Sequence, residues 1–451
     1  MTTRIESAWS EVSAAWGEGR ITADPAACAG CGVDGKTPQL VLHPSRAEEV
    51  AAALKVAAGR GLSVIPFRNR TKVEVGNPPE RYDIGLSLKE LNNVWHYEPA
   101  DLTITAEPGM KLGDFQYLVA RHQLWLPLDP AGGAQASLGG ILAANASGPL
   151  RHAYGSPRDM VLGMKVATPE GKIVKTGGQV VKNVAGYDLG KLLIGSYGTL
   201  GVIVEASLKL YPLPIRRATF VLRTGNFGIA RNLRRRILET PLALLRLVLL
   251  NAAAARMARA GTSLAFESRS PEMWVEAGGS ERVLERTRAA LEGLGKEVGA
   301  PIETHNAEEA ETVWSHVADF RRKISEIQPG AVVLKASLPI ASAEAFLSAA
   351  QQEAENAKSE MAATSLAGVG TVQVAILDFP EGGDGERMIR RLRQSAQDLG
   401  GALLVERCPL ELKARLDVWG EPGDDFKVMR KVKAAWDPKG ILSPGRMIGR
   451  I

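Results

Sequence analysis

Residues 132–205 read GGAQASLGGILAANASGPLRHAYGSPRDMVLGMKVATPEGKIVKTGGQVVKNVAGYDLGKLLIGSYGTLGVIVE. Glycine punctuates the run at positions such as Gly132, Gly133, Gly139, Gly140, Gly148, Gly155, Gly198 and Gly201. Apolar residues fill the intervals, and most of the stretch is not enriched in Ser or Pro, so it is not a linker. Glycine in such a setting permits positive φ, or lets a backbone approach a ligand or another backbone closely. Successive N–H groups in such turns form concavities suited to an anion such as a pyrophosphate. A loop-rich fold with many tight turns would carry the same glycines, and the glycines alone leave both readings open.

Outward from this centre, 451 residues are too many for one ordinary core and predict two or three domains. The apolar and charged fractions, 45% and 23%, are those of a soluble globular protein. A net charge of +5 is small for the length and selects no partner by itself. No nucleic-acid motif is present. The N-terminus, MTTRIESAWSE, has no apolar core of a signal peptide, and three cysteines predict a reducing compartment. Cys28 and Cys31 form one CxxC pair, which lacks the further ligands of a zinc or iron–sulfur site. It could be a redox pair or half of a shared site, and the simplest reading gives it neither role. The run Leu242–Ala255 is too short to span a bilayer and reads as a buried strand. The arginines 231, 234, 235 and 236 read as a solvated helix face.

In chain order, Gln39–Leu42 is a strand, and Ser45 and Glu48 have capping-box spacing at the start of a helix whose inner face is Val50, Leu54 and Ala57. Gly59 or Gly61 ends it, and Leu62–Pro66 is the next strand. Arg68-Asn69-Arg70-Thr71-Lys72 then occupies a loop in which a diphosphate cradle would be expected to carry glycines. Strands are expected at 83–86, 102–106, 160–167, 172–176 and 202–210, ended by Pro212 and Pro214. Beyond them, strand candidates at 218–222, 244–250, 263–266, 273–276, 332–336, 372–377 and 403–406 alternate with helices near 226–239, 280–294, 341–357 and 384–399. A further helix covers 424–436. No internal repeat is visible in the sequence.

LDPAGGAQASLGGILAANASG, then YGSPRDMVLG, then KNVAGYDLGKLLIGSYGTLGVI, in this order and with the ending WDPKGILSPGRM, resemble the FAD-binding oxidase family of the vanillyl-alcohol-oxidase (PCMH) type. Within it they are most similar to the smaller FAD-binding subunit of bacterial glycolate oxidases. The resemblance is strong over residues 39–213, weak over the following stretch, and resumes at 424–446. It implies an α+β fold: a two-subdomain PCMH-type FAD-binding domain (38–213) after an N-terminal extension (1–37), an α+β cap domain (214–407), and a C-terminal segment (408–451) returning to the FAD domain. The implied cofactor is FAD. Its first cradle would be Arg68, Asn69, Arg70, Thr71 and Lys72. Its second would be Asp129, Pro130, Ser137, Leu138, Gly139, Gly140, Ala143, Asn145 and Gly148, followed by Tyr154, Gly155 and Asp159. Gly198, Gly201, Val202 and Ile203 would lie beside the flavin or adenosine. Asp159 could equally be a helix cap and Asn145 the satisfier of a turn. Lys182, Asn183, Tyr187 and Asp188 are a family hallmark.

The chain also departs from that family. Catalytically competent relatives usually have a glycine-rich first cradle. Their larger 2-hydroxy-acid-oxidising members carry a His-containing glycine motif in the cap, which helps to form a substrate and metal site. The corresponding stretch here, Ala367-Gly368-Val369-Gly370-Thr371, has no His. His305 and His316 are not at metal-pair spacing, so no metal is expected, and the sequence names no general base. The leading expectation is an FAD-binding redox subunit of a glycolate (2-hydroxy-acid) oxidase or dehydrogenase complex. Its partners would be a larger FAD-binding catalytic subunit and an iron–sulfur subunit. A stand-alone 2-hydroxy-acid dehydrogenase and a scaffold that has lost FAD are the alternatives. The expected location is cytoplasmic, with at most peripheral membrane contact and no nucleic-acid partner.

Overall fold

The computed structural model describes Trp9, Trp16 and residues 19–178 and 189–451. Three main sheets organise it. The first has four strands in the order Ile21–Thr22, Leu40–Leu42, Ile84–Ser87, Val64–Phe67. Ile84–Ser87 is parallel to both of its neighbours, and the crossover between them is the helix Ala47–Arg60. Val50, Leu54 and Ala57 are fully buried on its inner face, and Gly61 ends it at φ 67°. The capping device differs from the expected box. Arg46 is the N-cap, and Glu49, one residue later than Glu48, accepts hydrogen bonds from the Ser45 amide and hydroxyl at 2.7 and 3.3 Å.

The second sheet is antiparallel, in the order Val94–Glu98, Thr103–Ala106, Val202–Lys209, Val161–Ala167, Ile173–Gly177. Period-two alternation, shifted by an irregularity between Ile203 and Glu205, decides what each face of its central strand meets. Val202 and Val204 pack with Val50 and Leu54 of the crossover helix, so that helix lies between the two sheets. Ile203, Ala206 and Leu208 pack with the helices Leu112–Ala120 and Leu138–Ala143 on the other side. Tyr211–Pro212, at the prolines expected to end the preceding strand, forms a short strand of its own that pairs with Leu124–Trp125.

The third sheet has eight antiparallel strands, ordered Ile302–Asn306, Arg216–Arg223, Glu272–Gly279, Leu244–Leu250, Met361–Leu366, Thr371–Ile376, Val332–Ser337, Ala402–Arg407. It contains the repeat that the sequence concealed. Residues 216–306 and 332–407 each run β-α-β-β-α-β, with the first half carrying one additional helix, Ala252–Arg259. In each half the last strand lies beside the first, the first beside the third, and the third beside the second. The halves join through Leu244–Leu250 and Met361–Leu366. All of Leu244–Leu250 is buried because it is covered on both faces, Leu247 and Leu249 in one cluster and Val248 and Leu250 in the other. No strand forms at 263–266. Arg234, expected on a solvated face, is buried and paired through two nitrogens with Glu344 at 2.6 and 3.1 Å. Among the described residues no helix is long and apolar enough to cross a membrane.

The C-terminal segment docks on the first sheet. The Val64 amide donates to Ile441 at 2.8 Å, and the Ser443 amide donates to Val64 at 2.9 Å. Against the cradle loops the third sheet presents the junction of Ala307–Ala318 and Phe320–Ile327. There the Asp319 carboxylate accepts from the Gly132 amide at 3.0 Å, and Arg321 donates to the Thr71 carbonyl at 2.6 Å.

Candidate active site

Between the first two sheets runs a groove. One wall is Pro66, Phe67, Arg68 and Leu88; the other is Ser137, Gly139, Gly140 and Ala143, with Tyr197, Gly198, Val202 and Ile203 at its floor. The first cradle, continuous in sequence, divides in space. Arg68 donates through Nε to Gly109 at 3.0 Å and through a second nitrogen to Asn69, whose amide reaches the Gln135 carbonyl at 2.5 Å. Asn69 therefore links the first cradle to the stretch that holds the second, and Arg68 braces Asn69 and the turn at Gly109. Arg70 turns the other way, at φ 60°, and donates to the carbonyls of Gly30 and Gly32. Thr71 and Lys72 face the third sheet.

Steric tests separate the glycines. A Cβ at Gly139 would lie 2.6 Å from Pro108, at Gly148 1.9 Å from the Asp129 carbonyl, and at Gly201 2.5 Å from Val166, so packing alone demands glycine at all three. At Gly140 a Cβ would meet only the Ser137 hydroxyl, at 3.1 Å, among the described residues, whereas Gly198, at φ 71°, would bring a Cβ 3.0 Å from Pro66. Gly140 leaves the groove wall open, and Gly198 answers to its positive φ and to Pro66. Leu138 is core. Asn145 is held at φ 44°, and its buried Oδ1 has no partner among the described residues.

The remaining predicted residues are engaged elsewhere. Tyr154 stands edge-on between Trp125 and Tyr211, at 5.6 and 5.1 Å. Asp159 caps the turn at Ser156, accepting from its amide and hydroxyl at 2.8 Å each; burial opposes ionisation, but these bonds hold the carboxyl below its ordinary range. Gly155 exists because a Cβ there would lie 2.7 Å from Asp159. Asp129 accepts from the Leu150 amide and from Arg246 at 3.1 Å, and Arg246 also pairs with Glu276 at 2.8 Å. Burial outweighs Arg246 and pushes the Asp129 carboxyl up to about 6. Pro130 lines a wider cleft of about 400 Å³ that is walled by Trp125 and Trp314. Lys182, Asn183, Tyr187 and Asp188 lie outside the described residues.

Where the cradles meet the third sheet lies a charged pocket that sequence reasoning did not find. Lys72, Arg151, Lys335, Gln373 and Glu406 line it, together with Ala131, Gly148 and Thr364. The Glu406 carboxylate is 4.0 Å from Lys72 Nζ and 3.9 Å from Lys335 Nζ, and it accepts from Gln373 at 2.6 Å. Burial opposes its charge, but Lys335, Lys72 and Arg321 hold its pKa below the ordinary value. Burial pushes the Lys72 ammonium down to about 8. Three cationic side chains face one carboxylate, so the pocket carries an excess of positive charge suited to an anion. The signal was present in the sequence: Lys335 interrupts the apolar strand Val332–Ser337, and Glu406 interrupts Ala402–Arg407.

Gly368 sits beside this region. A Cβ there would fall 2.0 Å from His152 Nδ1, so the His152 ring fills the space over the glycine turn. Burial pushes its pKa down, and Nδ1 has no partner among the described residues. Those residues contain no group of three or more His, Cys, Asp or Glu able to hold a metal.

Two family models match the chain: an FAD binding domain over residues 38–177, and the C-terminal domain of FAD linked oxidases over residues 213–447, more than half of the chain. The chain belongs to the FAD-linked oxidases. Similar proteins include glycolate oxidase subunit GlcD of Bacillus subtilis, 26% identical with 92% of this chain and 89% of that protein covered. The cytochrome-dependent mitochondrial D-lactate dehydrogenase of Arabidopsis thaliana is 26% identical over 91% of this chain and 73% of that one. The D-2-hydroxyglutarate dehydrogenase of Xanthomonas citri is 34% identical over 43% of this chain and 41% of that one. In fold the chain resembles p-cresol methylhydroxylase, with a TM-score of 0.79, 16% identity and coverage of 99% and 97%. Alkyldihydroxyacetonephosphate synthase gives 0.74, 17%, 97% and 84%.

This FAD-linked oxidase is therefore an FAD-dependent oxidoreductase of the PCMH-type fold. The groove fits its cofactor. Apolar walls suit a flat ring, and Ser137 and the Arg68 guanidinium suit a diphosphate. FAD, when bound, supplies the acceptor for a two-electron oxidation.

Proposed function

We propose that this FAD-linked oxidase acts on a small 2-hydroxy acid, as a subunit of a dehydrogenase complex of the glycolate-oxidase kind. The observation that carries this reading is the charged pocket. In it Lys335 holds the substrate carboxylate, and Glu406 keeps Lys335 and Lys72 aligned. Lys72 takes the hydroxyl proton, because an ammonium brought down to about 8 is partly neutral in mildly alkaline solution. His152, filling the space over Gly368, excludes water from that side. The names of the curated relatives, a glycolate oxidase subunit and dehydrogenases of D-lactate and D-2-hydroxyglutarate, support the substrate class. Membership of a complex draws support from the first of these names alone, in the word subunit; a larger FAD-binding subunit and an iron–sulfur subunit are the partners proposed for it. A stand-alone dehydrogenase is the second reading, favoured by the completeness of the pocket within one chain.

The test is anaerobic flavin bleaching of the FAD-loaded protein by glycolate and D-lactate. Bleaching is expected to accelerate about tenfold per pH unit as pH rises toward 8 and then level off. Lys335→Met is expected to raise the substrate concentration needed by about tenfold or more, the cost of one lost charge-assisted contact. No bleaching by either acid, with FAD bound, would sink the reading. Bleaching by the purified chain without partners supports the stand-alone form.

A further inference from the structure

The CxxC pair is not used by the site described above, yet one residue joins it to the first cradle. Cys28 ends the short helix Pro25–Ala29; it is buried, and its Sγ donates to the Thr22 carbonyl at 3.6 Å. Cys31 is half-exposed, and its amide donates to the Cys28 carbonyl at 2.9 Å. A hydrogen-bonded turn of this kind keeps the two Cα atoms within about 7 Å, the span a disulfide bridges. Both thiols are free in this structure.

Carbonyls of the same turn hold the cradle. Gly30 and Gly32, on either side of Cys31, accept from the two terminal nitrogens of Arg70. The Cys31 carbonyl accepts from the Tyr82 hydroxyl at 3.2 Å. Arg70 sits at φ 60°, a conformation that costs a non-glycine residue free energy and persists only where its surroundings hold it. Of its neighbours in the chain, Arg68 lines the cofactor groove and Asn69 reaches across to the Gln135 carbonyl. The turn packs through Val33 against Ile65 and Tyr82, so its displacement cannot be absorbed in solvent.

We propose that Cys28 and Cys31 form a reversible dithiol–disulfide site, and that its closure withdraws the turn carbonyls from Arg70 and weakens FAD binding in the first cradle. The oxidant is a low-molecular-weight disulfide such as glutathione disulfide. The accessible Cys31 thiolate attacks one of its sulfurs and expels one glutathione thiolate. Cys28 then attacks Cys31 of the mixed disulfide and expels the second. The protein loses two hydrogens, and two glutathione thiols gain them.

The full-length protein, treated with glutathione disulfide or with dithiothreitol, is examined by intact mass and by titration with FAD. The oxidised form is expected to be lighter by two hydrogens with no glutathione retained, to keep the buried Cys408 thiol, and to bind FAD at least about fivefold more weakly, reversibly. Cys31→Ser abolishes both changes. Arg70→Ala still closes the disulfide, but its two redox forms bind FAD equally. A glutathione adduct without ring closure overturns the site, and a closed disulfide with unchanged FAD affinity overturns the coupling. Neither readout uses a substrate, so the result stands apart from that of the bleaching experiment.

Discussion

Arg68 and Arg70 stand two positions apart and point in different directions, one along the cofactor groove to Gly109 and one back to the N-terminal turn. In the sequence they look equivalent, as charges standing where a cradle would carry glycine. Of the two, only Arg68 lines the cofactor groove, so Arg68→Ala is expected to weaken FAD binding about tenfold or more and to reduce its salt dependence, as read by equilibrium titration. Lys72 gives a second test. Its pKa in the folded protein is about 8, against an ordinary 10.5, so between these values the unfolded chain binds more protons. Its contribution to stability therefore rises with pH across that window. Lys72→Met is expected to remove this part of the slope in melting temperature against pH, and an unchanged slope would contradict the assignment. Ser137, expected as a cofactor contact, has a local role as well. Its hydroxyl accepts from the Gly140 amide at 3.3 Å as the N-cap of Leu138–Ala143.

At the scale of elements, the helices and strands follow the apolar periodicity, and their pairing does not. Phe227–Leu238 and Ala343–Asn356 each occupy the first-helix position in one half of the repeated β-α-β-β-α-β unit, and Arg234–Glu344 joins them. Breaking a buried pair strands a charge, so Arg234→Met is expected to destabilise the protein by about 3–5 kcal/mol in denaturant unfolding. The double variant with Glu344→Leu recovers most of that loss, because a buried pair replaced by apolar groups is often neutral. An equal loss in both variants would show that the helices are held by packing alone. The repeat escaped detection because the halves share a pattern of strand order, and strand order is not a local property of sequence.

At the scale of the molecule, the chain closes on itself. Asp437 accepts from the Ile441 and Leu442 amides at 3.0 and 2.8 Å and pairs with Lys433, which also reaches the Thr199 carbonyl at 2.8 Å. Deleting residues 437–451 would uncover the edge of Val64–Phe67 and withdraw Ser443 from beside Gly198. The truncated protein is expected to lose FAD on gel filtration and to expose apolar surface to a dye; retention of stoichiometric FAD would contradict this. By itself the sequence determined the crossover helix with its buried face and most strand and helix positions, each of which depends on residues within one turn or one element of each other. The FAD-binding fold came from the order of several glycine motifs and their resemblance to a family. Only the tertiary structure decided which of the cradle side chains face the cofactor, that Gly139 and Gly201 answer to packing, and that Lys72, Lys335, Gln373 and Glu406 share a pocket. These groups come from separate elements, and their electrostatic coupling exists only where folding removes the water between them.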